Sequence, residues 1–285
     1  MRFRFLYQFL FVCVVAVGCN SCQQTELIPR KSLAEEQLLL GNPSGATTDL
    51  ANYNNYLLLK PQYVLSYSRD RGTPNWVSWH VSAAWLGDAS RQDNFRSDAS
   101  LPEGWYRVTS TSYSGSGFDR GHNAPSADRT KTLDDNSATF LMTNMIPQAP
   151  NLNRETWARM EDYTRSLVAQ GQEVYVVMGS YGVGGTGSEG TAKKIDNGHI
   201  TVPSRVWKVL VVLPEGNDDL ARINTSTRVI AVNMPNVMTV RDDWTSYITT
   251  VDAIEKATGY NLLSALPDAL EEVLESQQDE GPFTN

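Results

Sequence analysis

The sequence predicts an α+β fold with a mixed sheet, because short β-type runs and helical segments follow one another without the regular strand–helix–strand alternation of parallel sheets. Apolar runs bounded by turn residues indicate the strands, and apolar residues at helical spacing indicate the helices. All 3 cysteines lie within residues 1–22. The rest of the chain must therefore be stabilised by a buried core rather than by disulfides.

The strands are predicted from short runs rich in apolar and β-branched residues. Residues 173–179 form a continuous apolar run, which is typical of a buried strand. Residues 199–202 and 205–213 are predicted to be strands on either side of a turn at Pro203. The remaining candidates are 62–68, 75–84 and 228–233, with a further short apolar run at 138–144.

Two helices are predicted from apolar residues that recur every three or four positions. Residues 153–169 carry such a stripe and are followed by Gly171, and residues 243–258 carry another and are followed by Gly259. Glycine just after the last periodic residue is a common helix stop. Both segments are long enough to cover one face of a sheet.

The amino-terminal end has the pattern of an export signal. Arg2 and Arg4 precede an apolar run that is short for a membrane span, so residues 1–18 are predicted to be a signal peptide. Cys19 follows small residues in a lipobox-like arrangement and is a candidate for lipidation. Simple secretion and an uncleaved anchor are the alternatives. In each case the domain is exported, either lipid-anchored at a bacterial membrane or periplasmic or extracellular.

The folded domain is predicted to span residues 42–266. Residues 19–41 mix Gln, Glu, Ser and Leu and are predicted to be a tether, with a short helix at 32–40. Residues 267–285 are acidic and contain no basic side chain, which predicts a frayed helix and a solvated tail.

The chain is acidic, with 24 basic and 32 acidic side chains and a formal net charge of −8. Removal of residues 1–18 takes away two arginines and no acid, which leaves 22 basic against 32 acidic side chains, net −10. This argues against loose, charge-driven binding of DNA. Residues 91–165 hold nine basic and ten acidic side chains and are the least acidic part. That suits an enzyme that approaches phosphates, although ordinary variation of surface charge gives the same pattern.

The glycines at 182–187 match the GxGxxG pattern of dinucleotide-binding proteins and follow a predicted strand. In a dinucleotide fold an apolar helix begins at this point, and its N-terminus binds the pyrophosphate. Here Ser, Glu, Gly and Lys follow and then another strand. We therefore predict a mobile hairpin loop and no nucleotide cofactor.

The sequence Asp-Arg-Gly-His at 119–122 is the first half of a candidate catalytic site. His122 is a candidate general base, because a histidine with a pKa of about 6.5 is largely neutral near pH 7. Gly121 before it would let the backbone turn sharply. The alternative is a structural histidine that holds a turn, and a histidine taken by itself favours that interpretation.

The second half is the predicted helix that begins at Asn153. Trp157, Glu161 and Arg165 follow Asn153 at four-residue steps and form one slowly winding stripe. Asn153 could bind Mg²⁺ through its side-chain oxygen, Glu161 could hold the waters of the ion, and Arg165 could bind a phosphate. The alternatives are a helix cap for Asn153, a core position for Trp157, and a surface ion pair between Glu161 and Arg165.

Two other kinds of hydrolytic site are disfavoured. A zinc site needs several His or Cys ligands, but the chain has 3 histidines, none close to another, and no cysteine after Cys22. His80 and His199 lie in predicted strands and are interpreted as structural. A Ser–His–Asp hydrolase is disfavoured because no GxSxG elbow is present.

Residues 119–128, Asp-Arg-Gly-His-Asn-Ala-Pro-Ser-Ala-Asp, resemble the signature of the DNA/RNA non-specific endonuclease family, the ββα-metal, His–Asn class. The similarity continues through 143–148 and 152–161, and upstream to an arginine segment at 91–98. It covers about residues 40–266 and is nearest to the cyanobacterial extracellular nucleases. The resemblance implies a ββα-metal nuclease fold, with a central mixed, largely antiparallel sheet flanked by helices and a metal site on a β-hairpin plus helix.

The resemblance also implies roles for individual residues. His122 matches the general base, Asn153 the sole direct metal ligand, and Glu161 the residue that anchors the water around the metal. The family implies Mg²⁺, with Mn²⁺ as a substitute, little preference between DNA and RNA, and products with 5′-phosphates. The substrates are expected to be DNA and RNA, and a membrane is expected to be contacted only through the N-terminal lipid.

The phosphate-binding and transition-state arginines of the family correspond to Arg91, Arg120 and Arg165. Asp119 matches the first residue of the motif, which orients neighbouring groups. Some members place the upstream arginine two residues later, where this chain has Asp93, so the choice between positions 91 and 93 stays open.

The sequence thus predicts an exported Mg²⁺-dependent endonuclease that is indifferent to base sequence and sugar. A phosphodiesterase of the same mechanism that acts on small nucleotides is one alternative. The other is not an enzyme but a surface lipoprotein that binds nucleic acid or a protein partner and keeps a vestigial site.

Overall fold

A computed structural model describes residues 32–283, and a seven-stranded sheet forms its centre. The predicted signal peptide, Cys19 and the first part of the tether lie outside the described residues. The strands in chain order are β1 (Tyr56–Leu59), β2 (Val64–Ser68), β3 (Thr73–Val81), β4 (Asp119–His122), β5 (Met145–Gln148), β6 (Gln172–Tyr181), β7 (Gly185–Gly187), β8 (Gly190–Ala192), β9 (Lys194–Ile195), β10 (Ile200–Thr201), β11 (Arg205–Pro214), β12 (Arg228–Pro235) and β13 (Ile248–Thr249).

The helices lie outside the sheet, and among the described residues none is long and apolar enough to cross a bilayer. They are α1 (Leu33–Glu36), α2 (Leu133–Ala138), α3 (Ala158–Ala169), α4 (Asp219–Arg222), α5 (Val251–Thr258) and α6 (Asp268–Ser276), with a π-helical segment Leu152–Trp157 directly before α3. Short 3-10 turns are Leu50–Asn52, Ala83–Trp85, Ser126–Asp128, Met142–Asn144, Asp196–Gly198 and Trp244–Tyr247.

The central sheet has the strand order β1-β2-β3-β6-β11-β12-β13, and every neighbouring pair is antiparallel. The predicted α+β class is confirmed. Strand β6 lies in the middle and pairs with β11 along its whole length, from Gln172 opposite Pro214 to Tyr181 opposite Arg205. These are the two longest predicted apolar runs, and the structure places them side by side.

Both faces of the central strands are buried, because alternate side chains point to opposite sides of a sheet. Val176 and Met178 of β6 pack on one side with Met160 of α3. Tyr175 and Val177 pack on the other side, in the cluster that contains residues of α5 and α6. This two-sided burial explains why the sequence of β6 reads as a continuous apolar run rather than an alternating one.

The helix predicted at 243–258 is wrong in its first half. The chain forms a 3-10 turn at Trp244–Tyr247, then β13 at Ile248–Thr249, and only then α5 at Val251–Thr258. β13 pairs with β12, and the Thr250 side chain accepts a hydrogen bond from the Ala253 amide at the start of α5. A run of β-branched residues favours the extended backbone, and this preference overrides the helical periodicity.

The apolar run at 138–144 is also not a strand. It spans the end of α2 and the turn Met142–Asn144, and the strand β5 begins only at Met145. The buried Asn144 side chain donates to the backbone oxygens of Ala124 and Thr139 and accepts from the Ala124 amide. These hydrogen bonds replace the ladder that a strand would have made.

The predicted tether and tail are packed against the domain where the structure describes them. Gln37 is 1% exposed, and its side-chain oxygen accepts from the His80 amide and from Arg129. In the acidic tail, Leu274 of α6 is fully buried and Asp279 forms an ion pair of 2.7 Å with Arg228. The composition of the tether and the tail suggested that they are solvated, but a few apolar and ion-paired side chains suffice to hold both segments against the domain.

The connection between β3 and β4 carries several candidate residues and is held by Asp98. This carboxylate is 3% exposed, lies 2.9 Å from the Lys60 ammonium and accepts hydrogen bonds from Ser100 and Thr143. Burial alone would raise the pKa of Asp98, but the Lys60 charge and the hydrogen bonds hold it below its ordinary value of 3.8. The ion pair therefore stabilises the fold.

We expect Asp98→Asn to lower the free energy of unfolding at pH 7 by about 3 kcal/mol, because Lys60 then lacks its counter-charge. A carboxylate with a depressed pKa contributes stability that is present above its unfolded pKa and is lost as the pH falls through its folded pKa. In urea unfolding, the difference in the free energy of unfolding between the native protein and Asp98→Asn should therefore become smaller below pH 3.8. Asp88→Asn, at an exposed position, is the control, and an unchanged difference at low pH would contradict the assignment.

Candidate active site

The candidate site is built on two short strands followed by a helix. β4 pairs antiparallel with β5, with His122 opposite Met145 and Asp119 opposite Gln148. The chain then enters the π-helical segment Leu152–Trp157 and continues as α3. This ββα unit brings the two halves of the sequence pattern to one place.

Gly121 does not form the sharp turn that the sequence suggested, because it lies within the extended strand β4. A Cβ atom at this position would approach the Gln148 side-chain oxygen to 2.2 Å. Gln148 is fully buried on the paired strand β5. Glycine is therefore required for close approach of two strands rather than for chain reversal.

A cavity of about 360 Å³ collects four of the predicted site residues. Arg91, Asp119, Arg120 and Asn153 all line it, together with Asp93. Its surface is mainly polar, and both of its arginines bring positive charge to a protein that is acidic as a whole. Such a cavity favours an anionic ligand.

Asp119 fixes the orientation of Asn153. Its carboxylate accepts a hydrogen bond of 2.9 Å from the Asn153 side-chain nitrogen and two from Arg154, of 2.8 and 2.6 Å. Because the nitrogen of the amide faces Asp119, the oxygen Oδ1 is the atom offered to a ligand. Asn153 does not cap the helix, since it lies inside the π-helical segment and its own amide donates to the Ala149 oxygen.

His122 lies beside the cavity between two aromatic rings. The ring centroids of Phe95 and Phe140 are 5.5 and 5.0 Å from the imidazole. Its Nε2 atom is shielded from solvent and has no hydrogen-bond partner within the described protein. Burial lowers the pKa of His122 to about 3, and the neighbouring charges of Arg91 and Arg120 act in the same direction. The imidazole is therefore neutral at physiological pH.

Glu161 and Arg165 do not form the surface ion pair that was one alternative. Arg165 donates to Asp128 at 2.9 Å and to Asp162 at 2.5 Å. The Glu161 carboxylate lies 3.8 Å from the Lys208 ammonium. Burial raises the pKa of Glu161 to about 7, against the opposite effect of the Lys208 and Arg165 charges.

Lys208 is a residue of the site to which sequence reasoning assigned no role. Its side chain is 1% exposed, and its ammonium lies 4.5 Å from the ring of Trp157 and 5.7 Å from that of Trp79. The rings and Glu161 together compensate a buried positive charge. The available signal was a lysine in the middle of the apolar run 205–213. Trp157 is buried, as its core interpretation required.

Arg91 and Asp93, the two positions at which family members place the upstream arginine, both line the cavity. The Arg91 guanidinium donates to the Ser126 hydroxyl at 2.7 Å and to the Asp93 carboxylate at 2.6 Å. Asp93 has a φ of 47°, in the left-handed region that few residues other than glycine adopt. Arg120 donates to the Ser110 backbone oxygen and lies 3.9 Å from the Phe95 ring.

The donor set fits a hydrated hard cation. Within residues 32–283, the groups of three His, Asp or Glu ligands lie away from this site. The site itself offers the Asn153 amide oxygen, already oriented by Asp119, and the half-buried Glu161 carboxylate. Both are oxygen ligands of the kind that Mg²⁺, Mn²⁺ or Ca²⁺ prefers, and Mg²⁺ commonly keeps several of its waters.

The comparison with known proteins identifies the family. The model of the DNA/RNA non-specific endonuclease family matches residues 41–269. The chain belongs to this family. It is therefore a metal-dependent nuclease, as the signature of residues 119–128 predicted, and DNA and RNA are the substrates of the class.

Similar proteins extend over most of the chain. A nuclease of Nostoc sp. (strain PCC 7120) is 51% identical over 268 residues, which cover 92% of this chain and 94% of that protein. Human mitochondrial endonuclease G is 34% identical over 211 residues, 70% of this chain and 67% of that protein. A chain in the crystal structure of an EndoG/EndoGI complex has a TM-score of 0.68 at 23% identity and covers 85% of this chain and 95% of its own length. The expected ββα-metal nuclease fold is confirmed.

The environment of Lys208 generates a prediction about activity. We expect Lys208→Met to reduce kcat/KM on DNA by about 10- to 100-fold, because Glu161 loses the cation that positions its carboxylate. Methionine fills the space between the two tryptophan rings, but it leaves the Glu161 carboxylate without its cation. The unfolding temperature should therefore also fall, and activity is compared at a temperature at which the variant is folded. Lys194→Met, at an exposed lysine, is the matched control. Full activity of folded Lys208→Met would exclude a positioning role.

Proposed function

We propose that this nuclease is a Mg²⁺-dependent endonuclease that acts outside the cytoplasm and cuts DNA and RNA without regard to sequence or sugar, leaving 5′-phosphates. The observation that carries the proposal is the cavity in which Asp119 orients the Asn153 amide between Arg91 and Arg120, with a neutral His122 beside it. Mn²⁺ is proposed as a substitute for Mg²⁺.

His122 is proposed as the general base. A neutral imidazole accepts a proton from a water molecule, the water oxygen attacks phosphorus, and the bond from phosphorus to the 3′ oxygen breaks. The attacking oxygen stays on the 5′-phosphate, and the 3′ oxygen leaves as a hydroxyl by taking a proton from a second water molecule. The imidazolium of His122 then returns its proton to solvent. The aromatic rings of Phe95 and Phe140 hold the imidazole in one orientation and exclude bulk water from it.

Asn153 is the proposed direct ligand of the metal, and Glu161 is proposed to hold the waters around it. When bound, the cation supplies positive charge to the phosphate oxygens and to the leaving oxygen. Asp119 keeps the Asn153 oxygen in place, and Lys208 keeps the Glu161 carboxylate in place. The family supports a metal, and the oxygen donors support Mg²⁺ in particular.

Arg91, Arg120 and Arg165 are proposed to bind phosphate and the charge that develops in the transition state. Arg91 and Arg120 already line the cavity, whereas Arg165 is held by Asp128 and Asp162. Guanidinium groups can bind phosphate oxygens in a bidentate manner, and contacts to phosphate carry no information about base identity. Contacts of this kind support cleavage that is independent of sequence and sugar.

Export is proposed from the sequence of residues 1–18, with lipidation of Cys19 as the form of anchoring. The lipid would tether the enzyme to a bacterial membrane and limit its substrates to nucleic acid that reaches the surface. Metabolic labelling with a radioactive fatty acid, with Cys19→Ser as the comparison, decides between the anchored and the secreted form.

We expect His122→Ala to reduce cleavage by about 10²- to 10⁴-fold through loss of the general base. Asn153→Ala should also lose activity and should need far more Mg²⁺, because its direct ligand is gone. The measurement is digestion of supercoiled plasmid and of structured RNA by residues 23–285 with Mg²⁺ and with EDTA. His199→Ala is the matched control.

The same assay separates the competing functions. Internal cutting of both polymers supports the endonuclease, whereas cutting of small nucleotide esters alone supports the phosphodiesterase. If folded protein binds the polymers, shows no cleavage with Mg²⁺ or Mn²⁺, and is unaffected by His122→Ala, the vestigial binding lipoprotein is the correct interpretation.

The choice between positions 91 and 93 gives a further prediction. We expect Arg91→Ala to lower kcat/KM by about 10²-fold, because Arg91 supplies phosphate-binding charge to the cavity. Asp93→Asn should preserve or raise activity, since it frees the Arg91 guanidinium from its ion pair. Arg96→Ala is the control within the same segment. Equal losses in Arg91→Ala and Arg96→Ala would indicate a structural role for both.

A further inference from the structure

Four carboxylates meet where the last two helices pack, far along the chain from the nuclease motif. Asp252 and Glu255 are three residues apart on α5, and Glu271 and Glu275 are four residues apart on α6. Residues at these spacings share one face of a helix. One oxygen from each of Asp252, Glu255 and Glu275 lies within 4.8 Å of the others. We call Asp252, Glu255, Glu271 and Glu275 the α5–α6 acidic cluster.

The buried end of the cluster has unsatisfied oxygen atoms. Glu275 is 6% exposed, and its Oε1 is shielded from solvent without a hydrogen-bond partner. The Oε1 atom of Glu271 is also shielded from solvent and has no hydrogen-bond partner. Glu255 accepts a hydrogen bond of 2.6 Å from the Leu262 amide, and its carboxyl group lies within hydrogen-bonding distance of the Glu275 carboxyl group. A buried polar atom without a partner is costly, so its presence indicates a missing ligand or proton.

No cation of the described protein compensates this charge. Within residues 32–283, no ion pair joins Lys or Arg to any member of the cluster. Burial raises the pKa of Glu275 to about 8, and Glu255, Glu271 and Asp252 act in the same direction. The environment of Glu275 therefore strongly disfavours an uncompensated negative charge.

A second group of acids shows how this protein otherwise satisfies such a cluster. Glu173 and Asp219 lie close to His80 at the end of β6. There the Arg222 guanidinium donates to both carboxylates, and His80 lies 2.9 Å from Glu173. That group is complete with its own cations, whereas the α5–α6 acidic cluster is not.

We propose that the α5–α6 acidic cluster binds one Ca²⁺ ion and thereby fastens α6 to α5. Two oxygens on one Ca²⁺ are at most about 4.8 Å apart, twice the typical bond length of about 2.4 Å. Glu275 provides the buried ligand, Glu255 is half-buried, and Asp252 is exposed, so water completes the shell from the open side. Ca²⁺ fits better than Mg²⁺, because it accepts irregular sets of carboxylates and needs no octahedron.

A proton shared between Glu255 and Glu275 is the competing explanation. One proton would join those two carboxyl groups but would not engage Asp252, one oxygen of which lies within 4.8 Å of both. A cation reaches several oxygens at once. The consequence concerns stability: Leu274 of α6 and Ile254 of α5 belong to the core on one face of the sheet, so the ion would hold the C-terminal helix onto that core.

Thermal unfolding of the exported chain, residues 23–285, tests the proposal at pH 7.5 with EDTA, CaCl₂ or MgCl₂. We expect millimolar Ca²⁺ to raise the unfolding temperature by about 5 °C and Mg²⁺ to raise it less. Glu275→Gln should abolish the difference between the two ions, whereas the neighbouring exposed Glu272→Gln should preserve it. If Glu275→Gln does not fold, Asp252→Asn, at an exposed position, should abolish the difference between the two ions instead.

A direct measurement of bound Ca²⁺ distinguishes an ion at the α5–α6 acidic cluster from one at the nuclease site. Equilibrium dialysis with radioactive Ca²⁺ should find one ion fewer per chain for Glu275→Gln than for native protein, while Asn153→Ala keeps the α5–α6 ion. Equal stabilisation of native and Glu275→Gln by Ca²⁺ overturns the proposal. So does a shared proton, which would show no response to Ca²⁺ and a stability that rises as the pH is lowered from about 8, because the folded state then binds the proton more tightly.

Discussion

The buried carboxylate of Asp128 ties together the three parts of the molecule that carry the active site. It accepts a hydrogen bond of 2.9 Å from the Trp79 indole on β3 and another of 2.9 Å from Arg165 on α3. Asp128 ends the turn that follows β4, so it fixes His122 relative to both the sheet and the helix. A buried carboxylate must be paired, and here its pairing defines the geometry of the site.

Charge is arranged in layers around this carboxylate. Arg91 and Arg120 line the cavity, and Lys208 lies between the Glu161 carboxylate and the tryptophan rings. In a region of low dielectric constant such fixed charges act more strongly than they would in water, and they need no reorganisation when substrate arrives. Although the chain has a net charge of −8, two guanidinium groups line this cavity and are available to bind a phosphate.

Prediction from sequence succeeded where a local sequence pattern directly reflects the surroundings of the same residues in the fold. The apolar runs of β6 and β11 reflect burial on both faces of the sheet, and Asp119 of the motif at 119–122 contacts Asn153 near the start of the helix region. Prediction failed where the role of a residue depends on a side chain that is distant in the sequence. Gly121 is required by Gln148 on another strand, and the burial of Lys208 depends on rings from two other elements. Neither partner can be read from local spacing, because the sheet register creates the contact.

The π-helical segment shows how a small departure from regular spacing changes the meaning of a sequence pattern. The four-residue steps from Asn153 to Arg165 suggested one continuous stripe, yet Asn153 lines the cavity whereas Trp157 is buried in the core. The wider i→i+5 turn rotates Asn153 away from the α-helical stripe and towards Asp119. Such turns are less favourable than a regular helix and occur frequently at functional sites. The bond to Asp119 therefore both stabilises the irregular turn and presents the amide oxygen to the cavity.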